Sequence, residues 1–302
     1  MGAHVGERAP AHQGLARRVR LSCCRGPAVT ETFRLLGVFP HPDDEAYSAG
    51  GTLAKAAAVG AEVYVLCATR GEAGQIVTPG LATPDTLGAV RERELHDACA
   101  ALGARPPLFL DYHDGTLSTV DLLEVVGRIV RVIRRLRPHV VLTLGADGVY
   151  GHPDHVALHK LVTPAFRSAG GGSRFPEEQF GPPWQPARLF WTAFPRGHFR
   201  PVWERLVHTD LAASIRQFDP ERLGVADDEV HAEIDVTEFV PQKLAALRAH
   251  RTQLRDGDPF SIFPPGILEG ILERERFTLA FGERPQRRLS DLFEGLTQEA
   301  LP

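Results

Sequence analysis

The sequence predicts an α/β protein with a Rossmann-like, doubly wound and mostly parallel sheet, whose C-terminal part extends the sheet and walls the active site. Apolar strand-like runs alternate with helical segments from residue 33 onward. Strands separated by helices indicate βαβ units, and their right-handed crossovers place helices on both faces of the sheet. The chain has 302 residues, of which 43% are hydrophobic. A chain of this size buries a large core without disulfide or metal support.

The first half of the chain supplies four strand–helix pairs. Short apolar runs predict buried strands at 33–39, 62–69, 108–112 and 139–144. Helical spacing of apolar residues, with Gly or Pro at the boundaries, predicts helices at 52–59, 87–102, 122–136 and 153–166. The arginines of the third helix fall mainly opposite its apolar stripe. They are therefore expected on a solvated face rather than at a nucleic-acid interface.

The C-terminal third continues the alternation less regularly. A Gly- and Pro-rich loop spans 170–186 and a Pro-rich turn spans 263–266. Strands are expected at 188–194, 229–236 and 276–281, with a helix at 238–254. These segments are predicted to belong to a single domain covering residues 31–302.

Residues 1–30 differ in composition from the rest of the chain. They contain five arginines, no lysine and one acidic residue, without regular apolar periodicity. Arg17 and Arg18 resemble part of a twin-arginine export signal, but no apolar segment follows them. The segment is predicted to be a disordered basic extension.

Charge and cysteine usage exclude several classes of protein. The net charge is −4, from 34 basic and 38 acidic residues, which gives no electrostatic footprint for nucleic acid. No apolar run reaches the length of a spanning helix, so no membrane partner is expected. The four cysteines show neither zinc nor redox spacing, which indicates a reducing, cytoplasmic location. The sequence is compatible with a homo-oligomer.

Two polar motifs follow two strands that are expected to be neighbours. Residues 40–45 read PHPDDE and come directly after the first strand, and residues 145–155 read GADGVYGHPDH after the fourth. In the usual strand order 3-2-1-4-5, strands one and four lie side by side at the switch point, where ligands bind. The two motifs are therefore predicted to face one crevice.

These motifs contain a plausible metal-ligand set. His41, Asp44 and His155 together offer two imidazoles and one carboxylate, which is how catalytic zinc is held with one position open to water. A bound metal lowers the pKa of water towards about 7. The same set is also the facial triad of non-haem iron oxygenases, which is the alternative chemistry.

The remaining polar residues suggest acid–base roles. Asp43 lies beside a ligand and is expected to act as general base on the bound water. His152 is expected either to protonate a leaving amine or to stabilise an oxyanion. Asp154 is expected to hold the His152 ring in one tautomer.

Each motif taken alone also has an ordinary structural explanation. His-Pro-Asp is common in turns, and Asp at a strand-to-helix junction is commonly an N-cap. The position of both motifs at carboxyl ends of neighbouring strands favours the metal site. A non-catalytic sugar or nucleotide binder on the same kind of sheet is the third interpretation, but no G-x-G-x-x-G follows the first strand.

The two motifs, with smaller matches between and after them, resemble a known family. HPDDE and YGHPDH are similar to the signatures of zinc-dependent, LmbE-like de-N-acetylases that act on N-acetylglucosaminyl conjugates. That family includes the glucosaminyl-phosphatidylinositol, mycothiol-pathway and bacillithiol-pathway deacetylases. The resemblance runs from about Leu35 to Phe281 and includes TRGEAG at 69–74 and AHRTQ at 249–253.

The resemblance implies a role for each candidate residue. It implies an α/β hydrolase that binds Zn²⁺, with Fe²⁺ as the alternative ion. The implied ligands and catalytic groups are His41, Asp44 and His155 for the metal, Asp43 as base, His152 as acid, Asp154 as its orienter and Tyr150 at the oxyanion. Arg91 and Asp114 are implied to contact the sugar of a small-molecule substrate.

Within the family, the order of the later segments is closest to the mycothiol-pathway enzymes. The expected reaction is therefore removal of an N-acetyl group from an N-acetylglucosaminyl conjugate. The alternatives are an amidase of the same fold acting on a larger acyl or thiol-conjugate amide, and a bacillithiol-pathway deacetylase. A 2-His-1-carboxylate iron oxygenase is the distant alternative.

Overall fold

The computed structural model describes residues 1–2, 32–196, 200, 203–204, 207–208, 224–255, 257–258 and 272–296. Contacts divide the chain into a unit of residues 1–31 and a unit of residues 32–302. Beyond Gly2, the predicted basic extension lies outside the described residues, as does the predicted turn at 263–266. Both therefore stay predictions.

The larger unit contains strands and helices in alternation. Its strands are β1 (Arg34–Phe39), β2 (Glu62–Cys67), β3 (Leu108–Phe109), β4 (Val140–Thr143), β5 (Arg188–Thr192), β6 (Ala232–Asp235) and β7 (Arg274–Phe281). Its helices within the described ranges are α1 (Asp44–Ala58), α2 (Leu87–Ala101), α3 (Leu122–Leu136), α4 (Gly148–Gly151), α5 (Pro153–Ala169), α6 (Glu177–Phe180) and α7 (Val240–Ala249).

The strands form one mixed sheet that confirms the predicted fold class. The strand order is β3-β2-β1-β4-β5-β7-β6. Strands β1 to β5 pair in parallel, whereas β7 runs antiparallel to both β5 and β6. The predicted neighbourhood of β1 and β4 is confirmed, with Leu35 opposite Val140 and Val38 opposite Thr143. The C-terminal third extends the sheet, as expected.

Helices cover both faces of the sheet because strand side chains alternate between them. Leu35 packs with α1, α2 and α7 on one face, and Leu36 packs with α3 and α5 on the other. Both side chains are fully buried. This double burial explains why the central strands read as continuous apolar runs.

Two helices differ from their predicted bounds. Helix α1 begins at Asp44 rather than at residue 52, so the second half of the HPDDE motif is its first turn. Gly50 and Gly51 conceal this start in the sequence, and a Cβ at Gly51 would lie 2.6 Å from Val236. The predicted helix 238–254 is α-helical only at 240–249, with short 3-10 turns at 237–239 and 251–253, because the backbone leaves the α-helix at His250.

Loops at the carboxyl edge of the parallel strands contain both polar motifs. The β1–α1 loop holds His41 and Asp43, and the region between β4 and α5 holds Tyr150 and His152. Among the described residues, none of the helices combines the length and the apolar character needed to cross a lipid bilayer.

Candidate metal and catalytic site

The site begins at a sharp turn between β1 and α1. Asp43 adopts a left-handed conformation with φ 111°, which is rare for a residue with a side chain. Its backbone N–H donates to Glu45 Oε2 at 2.9 Å, and the N–H of His41 donates to Asp44 Oδ2 at 3.1 Å. These two bonds shape the turn so that His41, Asp43 and Asp44 all lie at the edge of the sheet.

The three predicted metal ligands come together at this turn. One oxygen of Asp44 lies 3.4 Å from Nδ1 of His41, and the other lies 3.4 Å from Nε2 of His155. The two rings are 5.2 Å apart between centroids. His152 lies beside them, and one nitrogen from each of the three rings falls within a 4.8 Å cluster.

The electrostatics of this cluster suit a cation. Burial alone would raise the pKa of Asp44, but His155 and His41 lower it to about 2. Burial lowers the pKa of His155 to about 4, against an opposing effect of Asp44. An ionised carboxylate and a neutral imidazole are the forms that bind metal.

The donor set fits a zinc or ferrous ion. It offers nitrogen, oxygen and nitrogen, as in open catalytic sites rather than closed cysteine-rich ones. At 3.4 Å the two ring nitrogens are beyond the usual hydrogen-bond distance from the Asp44 oxygens. Each of the two nitrogens nevertheless faces an oxygen of Asp44, so both are placed to serve as ligands of one ion.

Asp43 lies next to the ligand cluster without joining it. Its side chain is 20% exposed, so water reaches the carboxylate. Burial raises its pKa to about 6, while Arg91 acts to lower it and Asp44 to raise it further. A carboxylate with a raised pKa beside a cation position suits a general base.

Arg91 is turned towards the protein rather than towards an open pocket. Its Nη1 donates to the carbonyl of Gly71 at 2.9 Å and its Nη2 to that of Pro42 at 2.5 Å, with Asp43 Oδ2 at 3.3 Å. Gly71 has φ 65°, and a Cβ there would overlap the guanidinium. The predicted sugar contact of Arg91 stays a prediction, and the structure gives it a bracing role at the β1–α1 turn.

Asp114 and Asp154 both contact His41. Nε2 of His41 lies 3.0 Å from Asp114 Oδ1 and 3.3 Å from Asp154 Oδ2. With Asp44 on the other nitrogen, these carboxylates hold the pKa of His41 well above its usual value, against the opposing effect of burial. The predicted sugar contact of Asp114 stays a prediction.

Asp154 contacts two histidines of the site, His152 through its backbone and His41 through its carboxylate. His152 is the N-cap of α5, so its Nδ1 accepts from the backbone N–H of Asp154 at 3.2 Å. The Asp154 carboxylate turns the other way and accepts from the backbone N–H groups of Gly115 and Leu117. The carboxylate contacts His41 at 3.3 Å and also acts to raise the pKa of His152, and its predicted role of holding the His152 ring stays a prediction. Burial and His41 lower the pKa of His152.

Tyr150 lies at the mouth of the cluster. It is 37% exposed, and its ring is 5.1 Å from that of His155 and 6.0 Å from that of His152. The preceding Val149 has φ 68°, which interrupts the short helix α4 and presents the tyrosine beside the two histidines. The phenol can therefore meet a ligand that enters from solvent.

Two further residues, Glu45 and His250, belong to the site although the sequence did not predict a role for them there. Glu45 is fully buried and accepts from the Asp43 backbone with one oxygen, while its other oxygen lies 2.7 Å from Nε2 of His250. Burial acts to lower the pKa of His250, but Glu45 raises it overall. The sequence contained a signal for this pair, because the Glu completes the HPDDE motif and the His belongs to AHRTQ. The two residues are 205 positions apart, so their contact could not be read from local spacing.

Comparisons with known proteins identify the family of this chain. The family model described as PIG-L, GlcNAc-PI de-N-acetylase, matches residues 36–166. The 1D-myo-inositol 2-acetamido-2-deoxy-α-D-glucopyranoside deacetylase of Streptomyces scabiei is 37% identical, and the match covers 87% of this chain and 90% of that protein. The protein of the same name from Rhodococcus opacus is 38% identical, covering 87% and 98%.

A solved structure supports the fold. The N,N'-diacetylchitobiose deacetylase from Pyrococcus horikoshii superposes with a TM-score of 0.58. The match covers 88% of this chain and 87% of that chain at 20% sequence identity. A likeness at this level of identity supports the α/β fold over most of the chain.

Proposed function

This chain belongs to the PIG-L family of GlcNAc-PI de-N-acetylases, and from that premise we propose that its substrate is 1D-myo-inositol 2-acetamido-2-deoxy-α-D-glucopyranoside. The chain is a hydrolase that removes the N-acetyl group from an N-acetylglucosaminyl conjugate. The substrate proposal rests on relatives that are named as deacetylases of this compound. Two of them are 37% identical to this chain, in matches that cover 87% of it. These matches cover more of the chain than the family model, which matches residues 36–166.

The proposed metal ion is zinc, held by His41, Asp44 and His155. A bound zinc ion supplies a water of lowered pKa and polarises the acetamide oxygen. Two imidazoles and one carboxylate with an open position support zinc, and the same set also suits a ferrous ion. The cytoplasmic location predicted from cysteine usage is proposed on that basis alone.

Asp43 is the proposed general base. Its carboxylate is adjacent to the ligand turn and reaches water, so it can take the proton of the attacking water. Arg91 keeps this carboxylate in place through the 3.3 Å contact with Asp43 Oδ2 and through the carbonyl of Pro42. The proton that Asp43 accepts is then available for the departing amine.

His152 is proposed to stabilise the oxyanion rather than to act as the acid. Its Nδ1 accepts a backbone N–H, so the proton of the neutral ring is on Nε2. An Nε2–H donor suits the oxygen that becomes negative when the acetamide carbon is attacked. Tyr150, the more exposed neighbour, is proposed as the second donor.

The test combines metal content with acetate release. Purified protein is assayed for zinc and iron and then offered the inositol conjugate, N-acetylglucosaminyl-malate and free N-acetylglucosamine. We expect about one metal per chain and the highest kcat/KM for acetate release on the inositol conjugate. A preference for the malate conjugate overturns the substrate, and release from none of the three, with metal bound, overturns the proposed substrate class.

A further inference from the structure

Three carboxylates surround the imidazole of His41. Asp44 approaches Nδ1 at 3.4 Å, whereas Asp114 and Asp154 both approach Nε2, at 3.0 and 3.3 Å. An ionised carboxylate accepts hydrogen bonds and donates none. His41, Asp114 and Asp154 could also hold a metal ion, but with no cation between them the nitrogen that faces both carboxylates carries the ring proton.

Both carboxylates on Nε2 are fixed by backbone amides. Asp154 is fully buried and accepts from Gly115 N at 2.7 Å and from Leu117 N at 3.1 Å. Asp114 accepts from Ala73 N at 3.1 Å with the oxygen that does not face His41. Loops that follow β2 and β3, together with the start of α5, thus converge on one ring nitrogen.

We propose that Asp114 and Asp154 are positioning residues that hold His41 with its proton on Nε2 and its Nδ1 lone pair directed at the metal position beside Asp44. The inference rests on the proposed metal site. A ligand histidine whose other nitrogen donates to a carboxylate is fixed in tautomer and orientation, and it is a more basic ligand. Here two carboxylates share that role.

The assignment differs from the roles that the sequence suggested. A sugar contact of Asp114 would act on KM, and a tautomer effect of Asp154 on His152 would act on kcat. Support of His41 acts on the affinity for the metal itself, in the absence of any substrate. The affinity for metal therefore separates the three roles.

The experiment measures zinc binding to the full-length chain after chelation, by competition with a chromophoric chelator. We expect D114N and D154N each to weaken zinc binding about 10-fold, and the double variant about 100-fold. The matched control is D111N, which removes one negative charge from the same loop but pairs with Arg70 rather than His41. Its affinity should equal that of the unaltered chain.

Outcomes distinguish this inference from the proposed function. If the unaltered chain binds no zinc, or if D44N binds as tightly, the proposed metal site is wrong. If D44N loses zinc while D114N, D154N and their double variant bind like D111N, only the present inference fails. Circular dichroism of each variant verifies folding, and D114N is the informative variant should D154N fail to fold.

A second measurement determines directly which nitrogen of the His41 ring is protonated and which is bound to the metal. Nitrogen-15 NMR of the zinc-loaded full chain should show His41 protonated at Nε2 and metal-bound at Nδ1. Zinc bound to Nε2 of His41 would overturn the inference even if both variants bound zinc weakly. In D114N/D154N, we expect the share of the Nε2–H tautomer to fall.

Discussion

The turn at Asp43 combines an unusual backbone with a reactive side chain. A left-handed residue other than Gly is costly unless its surroundings fix it, and such residues cluster at functional sites. Here Glu45 binds the Asp43 amide and Arg91 contacts the carboxylate, so both halves of the residue are held. The turn therefore fixes the position of this carboxylate.

Replacing Asp43 should therefore remove catalysis while leaving the fold intact. Asp43→Asn keeps the shape of the side chain, and Asn tolerates positive φ better than Ala. We expect kcat for acetate release to fall about 10²–10⁴-fold, the usual contribution of a general base. Steady-state kinetics on the metal-loaded protein measures this.

The matched control is Asp97→Asn, an exposed carboxylate on α2. Its kcat should equal that of the unaltered enzyme. An Asp43→Asn protein with near-full activity and bound metal would assign the base to another group.

At the scale of elements, the start of α1 is tied to the end of α7. Glu45 and His250 form a buried pair with Glu45 Oε1 and His250 Nε2 2.7 Å apart. The ring binds its proton more tightly in the folded chain than in the unfolded chain, where its pKa is near 6.5. Its contribution to stability is therefore complete below about pH 6.5 and is lost as the pH rises through the raised pKa.

His250→Gln should lose that contribution in a pH-dependent way. We expect the variant to be about 2 kcal/mol less stable at acidic pH, the scale of a buried hydrogen bond to a charged group. The difference from the unaltered chain should shrink as the pH increases. Urea unfolding across about pH 5.5–8.5 measures it, with the exposed His96→Gln on α2 as control. A difference that is constant or grows with pH contradicts the assignment.

The sequence predicted elements well where a local pattern determines them. The apolar periodicity of α3 predicted both of its ends correctly. In the structure, the Asp121 N-cap begins the helix where the apolar pattern begins. The start of α1 was missed, because Gly50 and Gly51 serve close packing, against Lys243 and Val236 respectively, rather than local propensity. The break at His250 was missed as well, since its partner Glu45 lies 205 residues away.

The same distinction holds for the site. Ligand candidates could be identified because each motif directly follows a strand, and the order of parallel strands places both at one edge. The direction of the Asp154 carboxylate could not be predicted, because His41, 113 residues away, lies on one side of it and the amide of Gly115 on another. Motif spacing identifies the residues that meet, whereas packing decides which atoms face each other.

At the scale of the whole molecule, the sheet combines two kinds of strand order. The parallel part β3-β2-β1-β4-β5 follows from successive right-handed crossovers, which the sequence reveals through alternating strands and helices. The antiparallel β7 lies between β5 and β6, although it comes last in the chain. No local pattern specifies that insertion, because an edge strand and an inserted strand have the same periodicity.

The proposed ligands follow two neighbouring strands of this parallel core that are far apart in the sequence, so metal binding should stabilise the folded unit. His41 and Asp44 follow β1, whereas His155 follows β4, and the three converge only in the folded sheet. Zinc at about 100 times its Kd adds about 2.7 kcal/mol, because the unfolded chain lacks the assembled site. For a unit of this size, that energy corresponds to an increase in Tm of about 5–10 °C. Thermal unfolding of the chelator-treated chain, with and without zinc, measures the shift. D44N, with its ligand set incomplete, should show little of it, and an equal shift in D44N would place the stabilising zinc elsewhere in the molecule.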